Sequence, residues 1–561
     1  MVRRPRVTPF LLSAAAVLAV SCGPSEEAVE LESSRALTTK LLAERDALER
    51  DLRGERAAST AARSEANSLR TIAAEAESAR KAAAEAQAKV ADLEHRTERA
   101  EKDLKQVTSH RDELREWVEQ DLLPIAEKAS PELANLRQAT DEMQKEVARL
   151  RGLEWKNPIM RRRIRRSQMG EWMQRDLRKE LPEEKAREIV LVGAELGLVP
   201  EKTDLYAMFS EFMEAGVAAF YRPDTRTFYH IEGNDGRGAY PVVFHELVHA
   251  IEDQHFDLEA LQKAVEGNSD AGLARKGLVE GSASLFQDLY QKEHPQDVVE
   301  MVKSQATPDM QQRQMKMMQR VPAFLVATMA FYPYNNGKAW VRQMTGGDPA
   351  KVAALFADPP ASTEQVLHPE KYADPDNRDW PQRVDVPDIA AVLPGWNVLE
   401  PDDMGELVTG CLLAQLRFNG MGAILHVLDM GTQGFGLKEP TRTAVAGWDG
   451  DRLASAIDPA TGRATICWVS VWDTEKDAEE FVAAYAPLMA RKVTKKDAPS
   501  PLPEEMRFEE QGTGRVTRIV REGTRVVAVV GSPADKLDAL VRAGLDAKVT
   551  VDPRDRRDAA K

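Results

Sequence analysis

Cysteine is almost absent from this chain: three residues in 561, at positions 22, 411 and 467. No disulfide framework and no cysteine-rich zinc module can be built from so few. Aromatic residues make up only 6% while charged residues reach 30%, a lean mixture for one compact body and a sign of a long, solvated helical part. Basic side chains are outnumbered by acidic ones, 76 to 91, for a formal charge of −15. Phosphate binding needs a basic stripe, so nucleic acid is excluded as the main partner. No uninterrupted apolar run approaches the roughly 20 residues of a membrane span. Disulfide scaffolds, nucleic-acid binders and multi-spanning membrane proteins therefore drop out.

What is present begins with an export signal. Arg3, Arg4 and Arg6 form a positive start, followed by an apolar stretch over 10–20, too short to cross a bilayer and right for a signal peptide. Ala19-Val20-Ser21-Cys22-Gly23 resembles a bacterial lipobox, which implies cleavage after residue 21 and a lipid on Cys22. The expected location is the cell envelope of a bacterium, facing the periplasm, with the outer membrane slightly favoured because Gly23 stands where an aspartate is associated with inner-membrane retention. Beyond it a single heptad register runs from Leu37 to Val118, with 18 of 24 a and d positions apolar. Those 82 residues make about 120 Å of helix. Alanine fills many of the seam positions, so the seam is thin. Such a rod reads as a spacer from a membrane or as a homo-oligomer seam. The basic run over 161–166 reads as a solvated helix face.

The chemistry is concentrated in Val242-Val243-Phe244-His245-Glu246-Leu247-Val248-His249-Ala250-Ile251. The segment lacks Gly and Pro, so it is expected to be helical, and the i, i+4 spacing stacks His245 and His249 on one face. Two imidazoles so placed converge on one metal, with Glu246 beside the open position as general base. With nine histidines in the chain, a chance His-Glu-x-x-His is expected on the order of 0.01 times. Two residues compete as third ligand. His255 lies six after His249, but using it needs a sharp turn where Glu252 stands in place of glycine. Glu280, in Gly277-Leu278-Val279-Glu280-Gly281-Ser282-Ala283, starts a second helical pattern and is the stronger choice.

A Glu on a second helix facing the first resembles the gluzincin arrangement of metallopeptidases. Asp253-Gln254-His255-Phe256-Asp257-Leu258, the Glu280-Gly281-Ser282-Ala283 block and Pro359-Pro360-Ala361-Ser362-Thr363-Glu364-Gln365-Val366-Leu367-His368-Pro369-Glu370-Lys371-Tyr372 extend the likeness to a group of poorly characterised zincin-like bacterial and archaeal proteins, over about 200–375. The resemblance implies Zn²⁺ on His245, His249 and Glu280. It also implies a Tyr or His at the substrate oxyanion, for which His368, Tyr372 and Tyr221 stand as candidates. Short β-like runs at 218–221 and 227–231, around Pro223-Asp224, are expected to supply an edge strand for an extended peptide.

The expected organisation is α+β. A signal peptide covers 1–21, a coiled-coil stalk 22–155, a mainly helical zincin-like domain with a small edge sheet 156–373, a Pro- and Asp-rich linker 374–404, and a small α/β domain 405–561. The expected function is a membrane-tethered, extracytoplasmic zinc metallopeptidase acting on a peptide or protein substrate. The alternative is a non-catalytic stalked scaffold or peptide-binding lipoprotein.

Overall fold

In a computed structural model of the chain, the structure describes residues 131–555, apart from stretches within 166–180, 215–217, 235, 309–320, 419–437 and 498–505. The export signal, Cys22 and the heptad rod lie outside the described residues. Met143–Lys561 forms one compact unit, separate from Cys22–Glu142, and its mixture of helices and sheet is α+β.

The described chain opens with helix α1 (Pro131–Arg151). Proline suits its first position, where a missing N–H costs nothing. Met143, Val147 and Arg151 lie four apart and are buried on one face, and Gly152 ends the helix at φ 67°. Strand β1 (Met160–Ile164) follows, so the basic run is not a helix face. It pairs in parallel with β3 (Thr227–Ile231), while β2 (Ala219–Arg222) pairs antiparallel with β3 and forms an edge. The two-residue alternation buries Arg162 and Ile164, with the Arg162 guanidinium 5.8 Å from the Tyr229 ring centre. Sheet pairing outweighs the helical look of the arginines.

Three helices then build the centre. Helix α2 (Tyr240–Phe256) has Pro241 in its first turn and is buried from Pro241 to Asp253, as its nearly all-round apolar surface requires. Helix α3 (Ser269–Glu293) is capped by Asn268, whose side chain accepts from Ala271 N. Helix α4 (Tyr332–Thr345) leaves a π-helical turn and stops at Gly346, φ 62°. A Cβ added at Gly281 would run into the Gly337 backbone, and one at Gly337 into that of Gly277. Three glycines thus let α3 and α4 touch backbone to backbone.

The segment 359–373 is an internal brace. Ser362 caps α5 (Thr363–Leu367) by accepting from Gln365 N. Lys371 Nζ lies 2.5 Å from Glu364, 2.9 Å from Asp379 and 2.7 Å from Asp473. Residues 374–404 do not behave as a free linker. Strand β4 (Arg383–Val384) pairs with β11 (Val549–Thr550), and β5 (Asn397–Val398) pairs with β6 (Trp448–Ile457). Trp380 and Leu393 are buried. Proline and aspartate make the stretch irregular, yet its few apolar residues are anchored.

The C-terminal part is a six-stranded antiparallel sheet ordered β5-β6-β7-β10-β9-β8, completed by β7 (Ala464–Trp472), β8 (Met506–Glu509), β9 (Arg515–Glu522) and β10 (Arg525–Pro533). Every residue of β7 is buried. Ile466, Trp468 and Trp472 face a core shared with α6 (Gly405–Arg417) and α7 (Glu475–Thr494). Cys467, Val469 and Val471 face α8 (Leu537–Leu545) on the other side. The first of these cores also holds Phe244 and Leu247 of α2, so the expected α/β domain is a layer of the same body. Cys411 and Cys467 are free, buried thiols pushed up to about 12 by burial.

Aspartates, Asp270 and Asp451 buried and Asp402 and Asp403 half-buried, line the junction of the two parts. Asp270 accepts from Thr363 N at 3.2 Å. Asp402 accepts from Ser269 N at 2.8 Å. Asp451 accepts from the Met404 and Gly405 amides and from Trp468 Nε1 at 2.6 Å, and Asp403 pairs with Arg452 at 2.7 Å. Burial, with Asp451 nearby, pushes Asp403 up to about 7 against the pull of Arg452; burial also raises Asp451. The folded state therefore holds these protons more tightly than the unfolded chain, whose aspartates titrate near pH 4. Their contribution to stability is complete below that pH and is lost as pH rises towards 7. Asp403→Asn is expected to flatten the fall in melting temperature between pH 4 and 7. An unchanged slope in the variant would contradict this.

Candidate metal centre

Helix α2 presents His245 and His249 one turn apart, and α3 brings Glu280 across to them. His245 Nε2 lies 3.1 Å from His249 Nε2 and 3.1 Å from Glu280 Oε2, and His249 Nε2 lies 3.2 Å from the same oxygen. All three residues are buried. A near-equilateral triangle of this size leaves each donor about 2 Å from a point roughly 1 Å off its plane, which matches zinc–ligand lengths and leaves the fourth tetrahedral position open. The donor chemistry agrees. His245 Nδ1 meets Gln287 Oε1 at 3.1 Å, so the proton belongs on Nδ1 and the lone pair of Nε2 faces the triangle.

The electrostatics describe a site that wants a cation. Burial alone would raise the Glu280 carboxyl, yet the His249 and His245 rings hold it well below the usual range. Burial alone would lower His249, yet Glu280 and Glu246 leave it raised to about 9. A metal ion between them satisfies the same demand without protonating either imidazole.

Glu246 stands beside the triangle and outside it. Its Oε2 accepts from the Tyr221 amide of edge strand β2 at 2.8 Å, and burial raises its pKa, with Glu280 adding and the two histidines opposing. The Tyr221 hydroxyl donates to Asp253 Oδ2 at 2.7 Å, so it serves as a brace and does not face the metal cluster. From α4, the Tyr334 ring centre lies 5.9 Å from that of His245. Its hydroxyl is buried, and burial together with the charges of Glu280 and Glu246 holds its pKa well above the ordinary phenol value.

Three candidates lie elsewhere. Helix α2 runs on through Phe256, so no turn folds His255 back; its Nε2 meets the Glu154 carbonyl at 2.8 Å. His368 is committed to Glu406, 2.9 Å from Nε2, with Glu370 3.6 Å from Nδ1. The catalytic place expected for His368 is thus a structural one, and Tyr372 likewise donates its hydroxyl to the Asp358 carbonyl at 2.6 Å. Cys22 lies outside the described residues. Sequence reading missed Tyr334 and Gln287. Tyr334 belongs to no motif, and its only signal is Gly337 three residues on, which marks the helix that meets the Gly277/Gly281 face.

Among the described residues two further donor groups occur, Glu146–Glu293–His294 and Glu364–Asp379–Asp473. Each already holds a basic side chain. Arg149 bridges Glu146 and Glu293, and Lys371 fills the other. An open cavity of about 320 Å³ before α2, lined by Gly233, Arg237, Lys303 and Ser304, contains none of the cluster residues.

A family described as a domain of unknown function (DUF8575) matches residues 397–541. No curated protein and no solved structure matches the chain. The DUF8575 region begins at β5 and ends within α8, so it covers the antiparallel sheet layer and leaves α2, α3 and α4 outside.

The crossing of α3 with α4, which brings Tyr334 towards the cluster, is open to direct test. Gly337→Ala drives a methyl into the Gly277 backbone, and overpacking of this kind costs about 1–3 kcal/mol. Chemical denaturation should show that loss, whereas Gly346→Ala, with nothing near its Cβ, is expected to cost only the strain of its left-handed φ. Equal stability of Gly337→Ala and the unmodified chain would contradict the close crossing.

Proposed function

We propose that this chain is a zinc metallopeptidase of gluzincin type, held outside the cytoplasm by a lipid on Cys22 and a helical rod, that hydrolyses peptide bonds. The observation that carries the proposal is Glu246. Zinc binding alone needs only the three donors, whereas Glu246 is a second buried carboxylate, held beside the triangle by a backbone amide. That arrangement supports a base rather than a ligand.

His245, His249 and Glu280 hold the zinc, which when bound lowers the pKa of a water to about 7 and polarises a carbonyl. The chain supplies the rest. Strand β2 is an edge, and an extended peptide pairing beside it would fix the register of the scissile bond. Glu246 takes a proton from the attacking water and passes it to the leaving amine. The bond from Tyr221 N keeps the carboxylate aimed while the proton is on and off. Tyr334, whose raised pKa keeps it protonated over the whole working range, donates to the oxygen on which negative charge develops.

Elemental analysis of the purified chain should find about one zinc per molecule, absent from Glu280→Ala. Glu246→Gln should retain the zinc and lose ~10²–10⁴-fold in hydrolysis of a quenched fluorescent peptide library. Tyr334→Phe should lower kcat by ~10²-fold with little change in KM. A zinc-loaded, folded chain that cleaves no member of the library would overturn the peptidase and leave the stalked binding module.

A further inference from the structure

The two histidines of the cluster are not supported alike. His245 passes its outer nitrogen to Gln287, but His249 Nδ1 is buried without a partner. One turn further along α2, at i+3, stands Glu252, fully buried. One of its oxygens is taken: Oε1 accepts from Arg151 Nε at 2.6 Å and from Ser282 Oγ at 2.5 Å. The other, Oε2, is buried and has no partner. An orphan ring nitrogen and an orphan carboxylate oxygen therefore sit on successive turns of one helix face, where side chains meet. Buried polar atoms in a native interior are satisfied.

We propose that Glu252 is the positioning residue of His249: its free oxygen takes the Nδ1–H, sets the tautomer and leaves Nε2 for the metal. The inference rests on the metal centre proposed above. Gln287 does the same for His245 with a neutral amide, so the two ligands differ in basicity, His249 being backed by a carboxylate. Arg151 Nη2 is also without a partner, but a carboxylate oxygen accepts two bonds, so it does not compete for the site. Arg151 in turn is sealed among the rings of Phe286, Phe256 and Phe356, 4.9–5.9 Å from their centres. The last residue of α1 thus holds the carboxylate that orients a metal ligand.

The test is the zinc affinity of the full chain, read by competition with a chromophoric chelator. Arg151→Met/Glu252→Leu replaces both members of the buried pair by apolar side chains of similar volume, a change interiors tolerate, and is expected to weaken zinc binding ~10–100-fold. Ser282→Ala, which touches only Oε1, is expected to leave affinity within about threefold. Equal affinity in the double variant, or equal loss in both variants, would overturn the assignment and leave Glu252 as a tether between helices. Should the double variant not fold, ¹H–¹⁵N spectra of the zinc-loaded parent chain decide: the proposal requires the His249 Nδ1–H proton downfield of that of His245, as a carboxylate acceptor demands over an amide, and an equal or upfield shift refutes it. Failure of the parent chain to bind zinc is a separate result, and it refutes the metal centre itself.

Discussion

Two imidazoles and a carboxylate enclosed in an apolar core cannot be left to themselves. Taken out of water, the carboxylate needs a positive charge and the imidazoles need a partner for each lone pair. Their donor atoms sit 3.1–3.2 Å apart in a triangle, so one divalent cation answers all three requirements. Much of the surrounding architecture serves to bring them to that distance. Helix α2 stacks the histidines, α3 carries the glutamate across, and the crossing of α3 with α4 at Gly277, Gly281 and Gly337 delivers Tyr334 to the same place.

The support around the cluster follows one pattern. Side chains around the cluster are held by neighbours that have no role in the chemistry: Glu246 by the Tyr221 amide, Tyr221 by Asp253, His245 by Gln287. Precision of a fraction of an ångström at a reacting centre demands this kind of backing. The block around 359–373 extends the pattern outward. Its polar residues, which look like a catalytic motif when read as sequence, tie α3, α6 and the antiparallel sheet together through Thr363, Lys371 and His368.

Local patterns were legible before the fold was known. The i, i+4 histidines, the helical stretch containing Glu280 and the β2–β3 hairpin around Pro223 each follow from spacing or composition over a few residues. Errors arose where long-range packing decides. The arginines of 161–164 became a strand because β3 lies beside them. Residues 374–404 became part of the body because Trp380 and Leu393 find an interior, and His368 became a brace because Glu406 arrives from a distant helix. Tyr334 had only Gly337 to mark it in the sequence, since nothing local tells that α4 crosses α3. Gly281 was read as part of a motif, and its physical reason, contact with the Gly337 backbone, belongs to the fold.

The ligand set is the central claim, and X-ray absorption at the zinc edge of the zinc-loaded chain tests it most directly. The account predicts two imidazole nitrogens at about 2.0–2.1 Å and one carboxylate oxygen at about 2.0–2.2 Å, with the remaining scatterer a light solvent atom. A sulfur shell at about 2.3 Å would contradict it, and so would a third imidazole, since that would place His255 or His368 on the metal in place of Glu280.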